Sequence, residues 1–233
     1  VARMIMLGIE NTGEIPFHTV TLTGLIRDSK GVKMSKTKGN VIDPIESINQ
    51  YGSDALRFAL SMGNGPGNDL RMSTARLESG RNFANKIWNA ARFVATLLDL
   101  NPLQNNWRKT IKLDDPSDQW IVSRFNSLNI KVDNLWDDFQ ISEVHREIHN
   151  FIWLEFCDWY IEFSKIRIRS GDLNPLKVLA AILESSLRLL HPLMPFITEE
   201  LWGRLPDRPS SKDSNIKSIM VAPYPEADPS KLS

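Results

Sequence analysis

The chain has 233 residues, 42% of them hydrophobic, and 28 Lys and Arg balance 28 Asp and Glu. That is enough for one large domain or two small ones with real cores. A single cysteine excludes an internal disulfide and fits a reducing cytoplasm, and no apolar run approaches the roughly 18 residues of a membrane span. Zero net charge hides an uneven distribution. Residues 1–113 carry 15 Lys and Arg against 9 Asp and Glu, and residues 114–233 carry 13 against 19. The basic first half suits a polyanionic partner.

Val1–Glu10 reads as the end of a helix, stopped at Asn11-Thr12-Gly13. The apolar run Val20–Ile26 reads as a buried strand. Half a helix and one strand cannot make a sheet, so the rest of the sheet is expected upstream. A first residue that is not Met fits an excised piece of a longer protein. Next comes the most unusual stretch of the chain. Lys30, Lys33, Lys36 and Lys38 fall within nine residues, no acid lies between Asp28 and Asp43, and Gly31 and Gly39 punctuate the run. Lysines on a loop at a strand's end in an open α/β sheet lie where phosphate ligands bind. A cationic loop there can close on a triphosphate and offset charge as it develops.

Asp43-Pro44 opens a short helix, with Asp43 as cap and Pro44 in the first turn, and Gly52 ends it. Ser53 or Asp54 is expected to cap the following helix, which turns Leu56, Phe58, Ala59 and Leu60 towards a core. Gly63–Asn68 reads as a plain turn rather than a phosphate loop, because Pro66 interrupts it and no strand precedes it. From Ser73 onward the apolar period is 3.6. It predicts helices near 73–100, 115–138, 141–170, 175–191 and 195–205, broken at Asn101-Pro102, Asp137–Phe139, Gly171-Asp172 and His191-Pro192. Such a run forms an antiparallel bundle. Residues 206–233, rich in Pro, Ser and Asp, are expected to lie extended on it.

On the first long helix Phe83, Ile87, Ala90, Val94 and Leu98 share one face. Arg81, Asn85, Trp88, Asn89 and Arg92 share the opposite face, with Phe93 at its rim. Cations, amides and rings interleaved in this way suit single-stranded RNA. Packing of Trp88 against a neighbouring helix is the competing reading. His145 and His149 lie one turn apart but lack a third ligand nearby in sequence, and their order is not that of a zinc protease, so no metal site is expected. Cys157 reads as core, and so do the rings of Trp153, Phe156, Trp159, Tyr160 and Phe163, with room for one exposed ring among them.

Lys33-Met34-Ser35-Lys36-Thr37, followed by Gly39-Asn40 and by Tyr51–Arg57, resembles the Lys-Met-Ser-Lys-Ser region of class I aminoacyl-tRNA synthetases. Arg81–Phe93 and Asn150–Glu162 look like two helices of the anticodon-binding bundle in the valyl branch, and Pro192–Trp202 is shared with the isoleucyl, leucyl and methionyl branches. The resemblance implies a mainly α chain. Residues 1–43 would be the remnant of a Rossmann-like α/β catalytic domain, 44–72 a helical stem-contact segment, 73–225 the anticodon-binding antiparallel helix bundle, and 226–233 an extended tail. It also implies ATP (with Mg2+ in the intact enzyme) and valine as substrates, a tRNA partner, and a cytoplasmic monomer. Lys36 would be the main ATP contact and Lys33 its assistant. Met34, Ser35 and Thr37 would complete the loop, the two hydroxyls ordering it through backbone hydrogen bonds, with Thr37 in place of the usual serine. With no His-Ile-Gly-His element, these 233 residues alone are expected not to activate the amino acid. The alternatives are an isoleucyl or leucyl relative and a non-enzymatic helical RNA-binding or scaffold module.

Overall fold

The computed structural model describes residues 1–63, 65, 67–104, 106–205 and 216–228. Asn64 and Pro66 of the expected turn, and residues 206–215 and 229–233 of the expected tail, lie outside the described residues. The elements run α1 (Ala2–Thr12), β1 (Ile26–Arg27), α2 (Pro44–Tyr51), α3 (Ser53–Ser61), β2 (Leu70–Arg71), α4 (Thr74–Leu100), α5 (Pro116–Asp137) and α6 (Ile141–Asn150). A π-helical stretch (Phe151–Tyr160) joins α6 to α7 (Ile161–Arg169), and α8 (Asn174–Leu190) and α9 (Pro195–Gly203) follow. No helix among the described residues is long and apolar enough to cross a membrane.

The bundle is built around α8. Leu176, Leu179, Leu183, Leu187 and Leu190 are buried together with Val178 and Ile182, so α8 is apolar on nearly all sides, as a central helix must be. Phe83, Ile87, Val94 and Leu98 of α4, Ile121, Phe125 and Val132 of α5, and Leu201 and Trp202 of α9 pack in the same core. The charges taken inside are paired. Glu184 accepts from Trp202 Nε1 at 2.7 Å and from Arg188 Nε at 2.8 Å. Asp118 accepts from Tyr160 Oη at 2.7 Å, Arg167 Nη1 at 2.8 Å and Asn174 Nδ2 at 2.8 Å. Such pairing offsets the desolvation that an isolated buried carboxylate would suffer. Gly80 lets α3 and α4 touch, since a Cβ there would stand 2.8 Å from the Ala55 carbonyl oxygen.

The expected helix over 141–170 is continuous, but its middle is wider than an α-helix. Buried pairs fall at Phe151-Ile152, Phe156-Cys157 and Tyr160-Ile161, a spacing of five and then four residues. The wide turn carries Trp159 outward, to 57% exposure, and Phe163 to 38%, with the two rings 5.7 Å apart. These two were expected in the core. A 3.6-residue period does not describe a π turn, which rotates the following residues onto a new face.

The opening segment departs most from expectation. Only Ile26 of the Val20–Ile26 run lies in a strand, β1, which pairs in parallel with Leu70–Arg71, and Val20, Leu22, Leu25 and Ile26 are exposed. Helix α1 buries no residue, and Met6 is 71% exposed. An apolar strand is buried only when other strands and helices cover its faces. Among the described residues the only ladder offered to it is the two-residue β2.

The tail lies on the bundle. Trp136 Nε1 donates to Tyr224 Oη at 3.1 Å, Tyr224 Oη donates to the Leu189 carbonyl at 3.1 Å, and the Asp228 amide donates to Asn126 Oδ1 at 2.8 Å.

Candidate functional site

The lysine-rich stretch forms a tied loop. Arg27 and Lys33 meet in an antiparallel bridge, and Asp28 Oδ1 accepts from the Val32 and Lys30 amides at 2.8 and 3.0 Å. Asn40 closes the far side: its Nδ2 donates to Asp28 Oδ2 at 2.9 Å, and its Oδ1 accepts from the Ser35 amide at 3.0 Å. These bonds, that from Asn40 foremost, hold the Asp28 carboxyl below the usual range. Lys36–Lys38 make one 3₁₀ turn, ended by Gly39 at φ 65°, a left-handed conformation that costs a residue with a Cβ. Ser35 and Thr37 hydroxyls lie 3.2 Å apart and bond each other. The side chains of Asp28 and Asn40 therefore order the loop, where the resemblance implied backbone bonds from the two hydroxyls.

This geometry leaves the lysines outward. Lys33, Lys36 and Lys38 are exposed and make no ion pair among the described residues. Met34 points the other way and packs, with Ile42, Tyr51 and Leu56, on a small core of Ala59, Leu70, Met72 and Leu77. A cavity of about 420 Å³ opens beneath the loop between Lys33, Met34, Val41, Pro44 and Leu60. The loop is a tied base presenting exposed ammonium groups, which suits a polyphosphate.

The second candidate region is the outer face of α4. Phe83, Ile87, Ala90, Val94 and Leu98 are buried, while Arg81, Asn85, Asn89 and Arg92 are exposed and Trp88 and Phe93 half-buried. Each ring carries a cation: Arg204 sits 5.1 Å above Trp88 and Lys165 5.2 Å from Phe93. Arg81 lies 5.5 Å from the Tyr51 ring, and Arg92 Nη2 donates to Asn89 Oδ1 at 3.1 Å. The face continues across the π-helical stretch and α7, to residues not assigned to it from the sequence. Lys86 stands 4.7 Å from the Trp153 ring and bonds Asp158 at 2.6 Å, and Lys165, Trp159 and Phe163 lie beyond. Lys86 lies one turn before Asn89 and could have been found in the sequence; which rings turn outward could not.

The histidines are structural. His145 is fully buried, its Nδ1 2.7 Å from Ser61 Oγ and its ring edge-on to Phe58, and burial pushes its imidazole down to about 3. No group of three or more His, Cys, Asp or Glu among the described residues could hold a metal ion. Burial pushes the Cys157 thiol up to about 12, which makes it unreactive.

Two family models match this chain. Residues 1–73 match the class I tRNA synthetases (I, L, M and V), and residues 118–233 match the anticodon-binding domain of tRNA ligase. Over 98% of its length the chain is 53% identical to the valine–tRNA ligase of Dehalococcoides mccartyi strain CBDB1. Over 97% it is 48% identical to that of Symbiobacterium thermophilum. The chain belongs to the class I tRNA synthetase family. It spans 26% of the length of each of those relatives, about a quarter, and holds the end of the catalytic domain together with the anticodon-binding domain. Helix α4 lies between the two matched stretches. The fold agrees with the LeuRS of Agrobacterium radiobacter K84, solved as a ternary complex with tRNA and LeuAMS (TM-score 0.67, 20% identity, 91% of this chain and 24% of that one). It agrees also with Mycobacterium tuberculosis methionyl-tRNA synthetase in complex with methionyl-adenylate (TM-score 0.65, 19% identity, 79% of this chain and 38% of that one).

Proposed function

We propose that this chain is the tRNA-docking part of a valine–tRNA ligase and carries the loop that offsets phosphate charge while valyl-adenylate forms. The tied loop, with Lys33 and Lys36 outward and without an ion pair among the described residues, carries the reading. In the first step a valine carboxylate oxygen bonds to the α-phosphorus of ATP as the bond to pyrophosphate breaks. In the second, the terminal ribose 2′-hydroxyl of the tRNA bonds to the valyl carbonyl carbon, loses its proton, and AMP leaves. The first step needs no general acid or base, because the nucleophile is already anionic and the leaving group is pyrophosphate. Its barrier falls through positioning and charge. Lys36 supplies charge to the phosphates as pyrophosphate separates, Lys33 assists, and Asn40 keeps the loop backbone from rearranging. Mg2+ arrives with ATP as part of the substrate.

The outer face of α4, with Arg81, Asn85, Trp88, Asn89, Arg92 and Phe93, docks the tRNA; cations hold phosphates and rings receive unpaired bases. The relatives named above are valine–tRNA ligases, which supports valine over isoleucine or leucine. A self-contained scaffold module would bury its own opening segment, and α1 buries nothing. On their own the 233 residues dock RNA without activating valine, since one loop and a two-stranded sheet give ATP no opposite wall.

In the full-length ligase, Lys36→Ala slows ATP–pyrophosphate exchange by roughly 10²–10³, the scale of losing one contact to developing charge. A loss below about threefold would make Lys36 a structural residue and end this assignment.

A further inference from the structure

The lysine loop and the bundle are joined by a polar clamp that α3 makes on the corner between α8 and α9. Asp54 stands at the start of α3, and no side chain caps that helix; Gly52 occupies the capping position instead. The Asp54 carboxylate reaches across the molecule to α9, accepting from the Ile197 amide at 2.7 Å and the Phe196 amide at 3.3 Å. Pro195 opens α9 and has no N–H, so these are the first two free donors of that helix. One turn further along α3, Arg57 takes the opposite polarity. Its Nε donates to the Leu193 carbonyl at 3.1 Å and its Nη2 to the Pro192 carbonyl at 2.9 Å. Four bonds from two side chains thus fix one short corner of backbone, and Asp54 is only 7% exposed.

The same helix also carries the loop. Leu56 and Ala59 of α3 pack in the small core on which Met34 and Ile42 rest. The intervening chain is short and capped: the Asp43 side chain caps α2 through the Ile45 amide at 2.7 Å, and α2 passes to α3 through Gly52 alone. One face of α3 therefore carries the phosphate loop, and its first turn grips the bundle.

We propose that Asp54 and Arg57 are positioning residues that couple docking of tRNA on the bundle to the placement of the lysine loop. The proposal rests on the ligase reading above, and it assigns to α3 the transmission between the two sites. Both act through the α8–α9 corner. Removing the clamp leaves the loop intact but lets it lose registry with the docked RNA.

The test uses the full-length ligase with Asp54→Ala, Asp54→Asn and Arg57→Ala. kcat for charging is measured on valine tRNA and on the same tRNA with an altered anticodon, beside ATP–pyrophosphate exchange without tRNA. Coupling energies between sites correspond to roughly 5–150-fold. Asp54→Ala and Arg57→Ala are expected to shrink the discrimination in kcat between the two tRNAs by about tenfold, within that range, and to leave exchange unchanged. Asp54→Asn, which keeps an acceptor oxygen for the α9 amides, is expected to restore most of it. A merely structural role lowers charging of both tRNAs and exchange together and leaves the ratio untouched; that outcome, or an unchanged ratio in Arg57→Ala alone should Asp54→Ala not fold, overturns the proposal. A wild-type enzyme that did not charge valine tRNA would sink the ligase reading instead, independently of any variant.

Discussion

Fifteen of the opening forty residues are hydrophobic and none of them is buried, whereas the helix bundle buries its apolar faces. In α8 nearly every Leu, Ile and Val is inside, while α1 presents Met4, Met6, Leu7 and Ile9 to solvent. Hydrophobic composition alone therefore does not make a core. The bundle helices carry complementary faces within this chain, and the opening segment carries a face whose complement is not among the described residues. Stability should be concentrated in the bundle and nearly absent from the opening.

The largest predicted effect breaks the bundle. Trp202→Ala removes a fully buried indole and its bond to Glu184, and urea unfolding should show a loss of about 3–5 kcal/mol. Acid comes next. His145 is neutral and buried in the folded chain with its imidazole pushed down to about 3, whereas the unfolded state protonates near the ordinary 6.5. The stability it contributes is present above that value and is lost as pH falls towards about 3; by pH 4 the loss is about 3 kcal/mol. Burial lowers His149 and His191 as well, with the same sign. His145→Asn should flatten the fall in melting temperature as pH drops from the histidine range towards the carboxylate range, and an unchanged slope would refute the burial argument.

A smaller effect sharpens the comparison at its boundary. Asn40→Ala frees the Ser35 amide and one oxygen of Asp28. It should cost about 1 kcal/mol locally, seen as faster hydrogen exchange at Ser35 with the bundle amides unchanged. Smallest of all, Met6→Lys with Leu22→Lys should change global unfolding by less than about 0.5 kcal/mol, as at surface sites generally. The same pair should reduce binding of a hydrophobic dye, because both side chains lie open. A large loss of stability would mean that the opening segment is packed after all.

The bundle helices were legible because the 3.6-residue spacing of their apolar residues is a local signal. The lysine loop was legible for a related reason: its residue order is contiguous, and Gly31 and Gly39 mark where it turns. What failed were features set by distant partners. Val20–Ile26 has strand composition, but a strand is defined by the neighbours it pairs with. Asp54 looked like a local cap, and its carboxylate instead serves a helix more than a hundred residues away. Trp159 and Phe163 looked like core because they fall in a stretch dense with aromatic rings, and the chain takes a π turn there.

The central claim is that the α4 face docks tRNA through charge and stacking. Fluorescence anisotropy of valine tRNA with this chain, compared at about 50 and 200 mM salt, tests it most directly, since counterion release makes phosphate contacts steeply salt-dependent. Binding should weaken sharply between the two conditions, and an Arg81→Ala/Arg92→Ala variant should bind more weakly with a salt slope shallower by about 2. Binding indifferent to salt, or equal binding by the double variant, would contradict it.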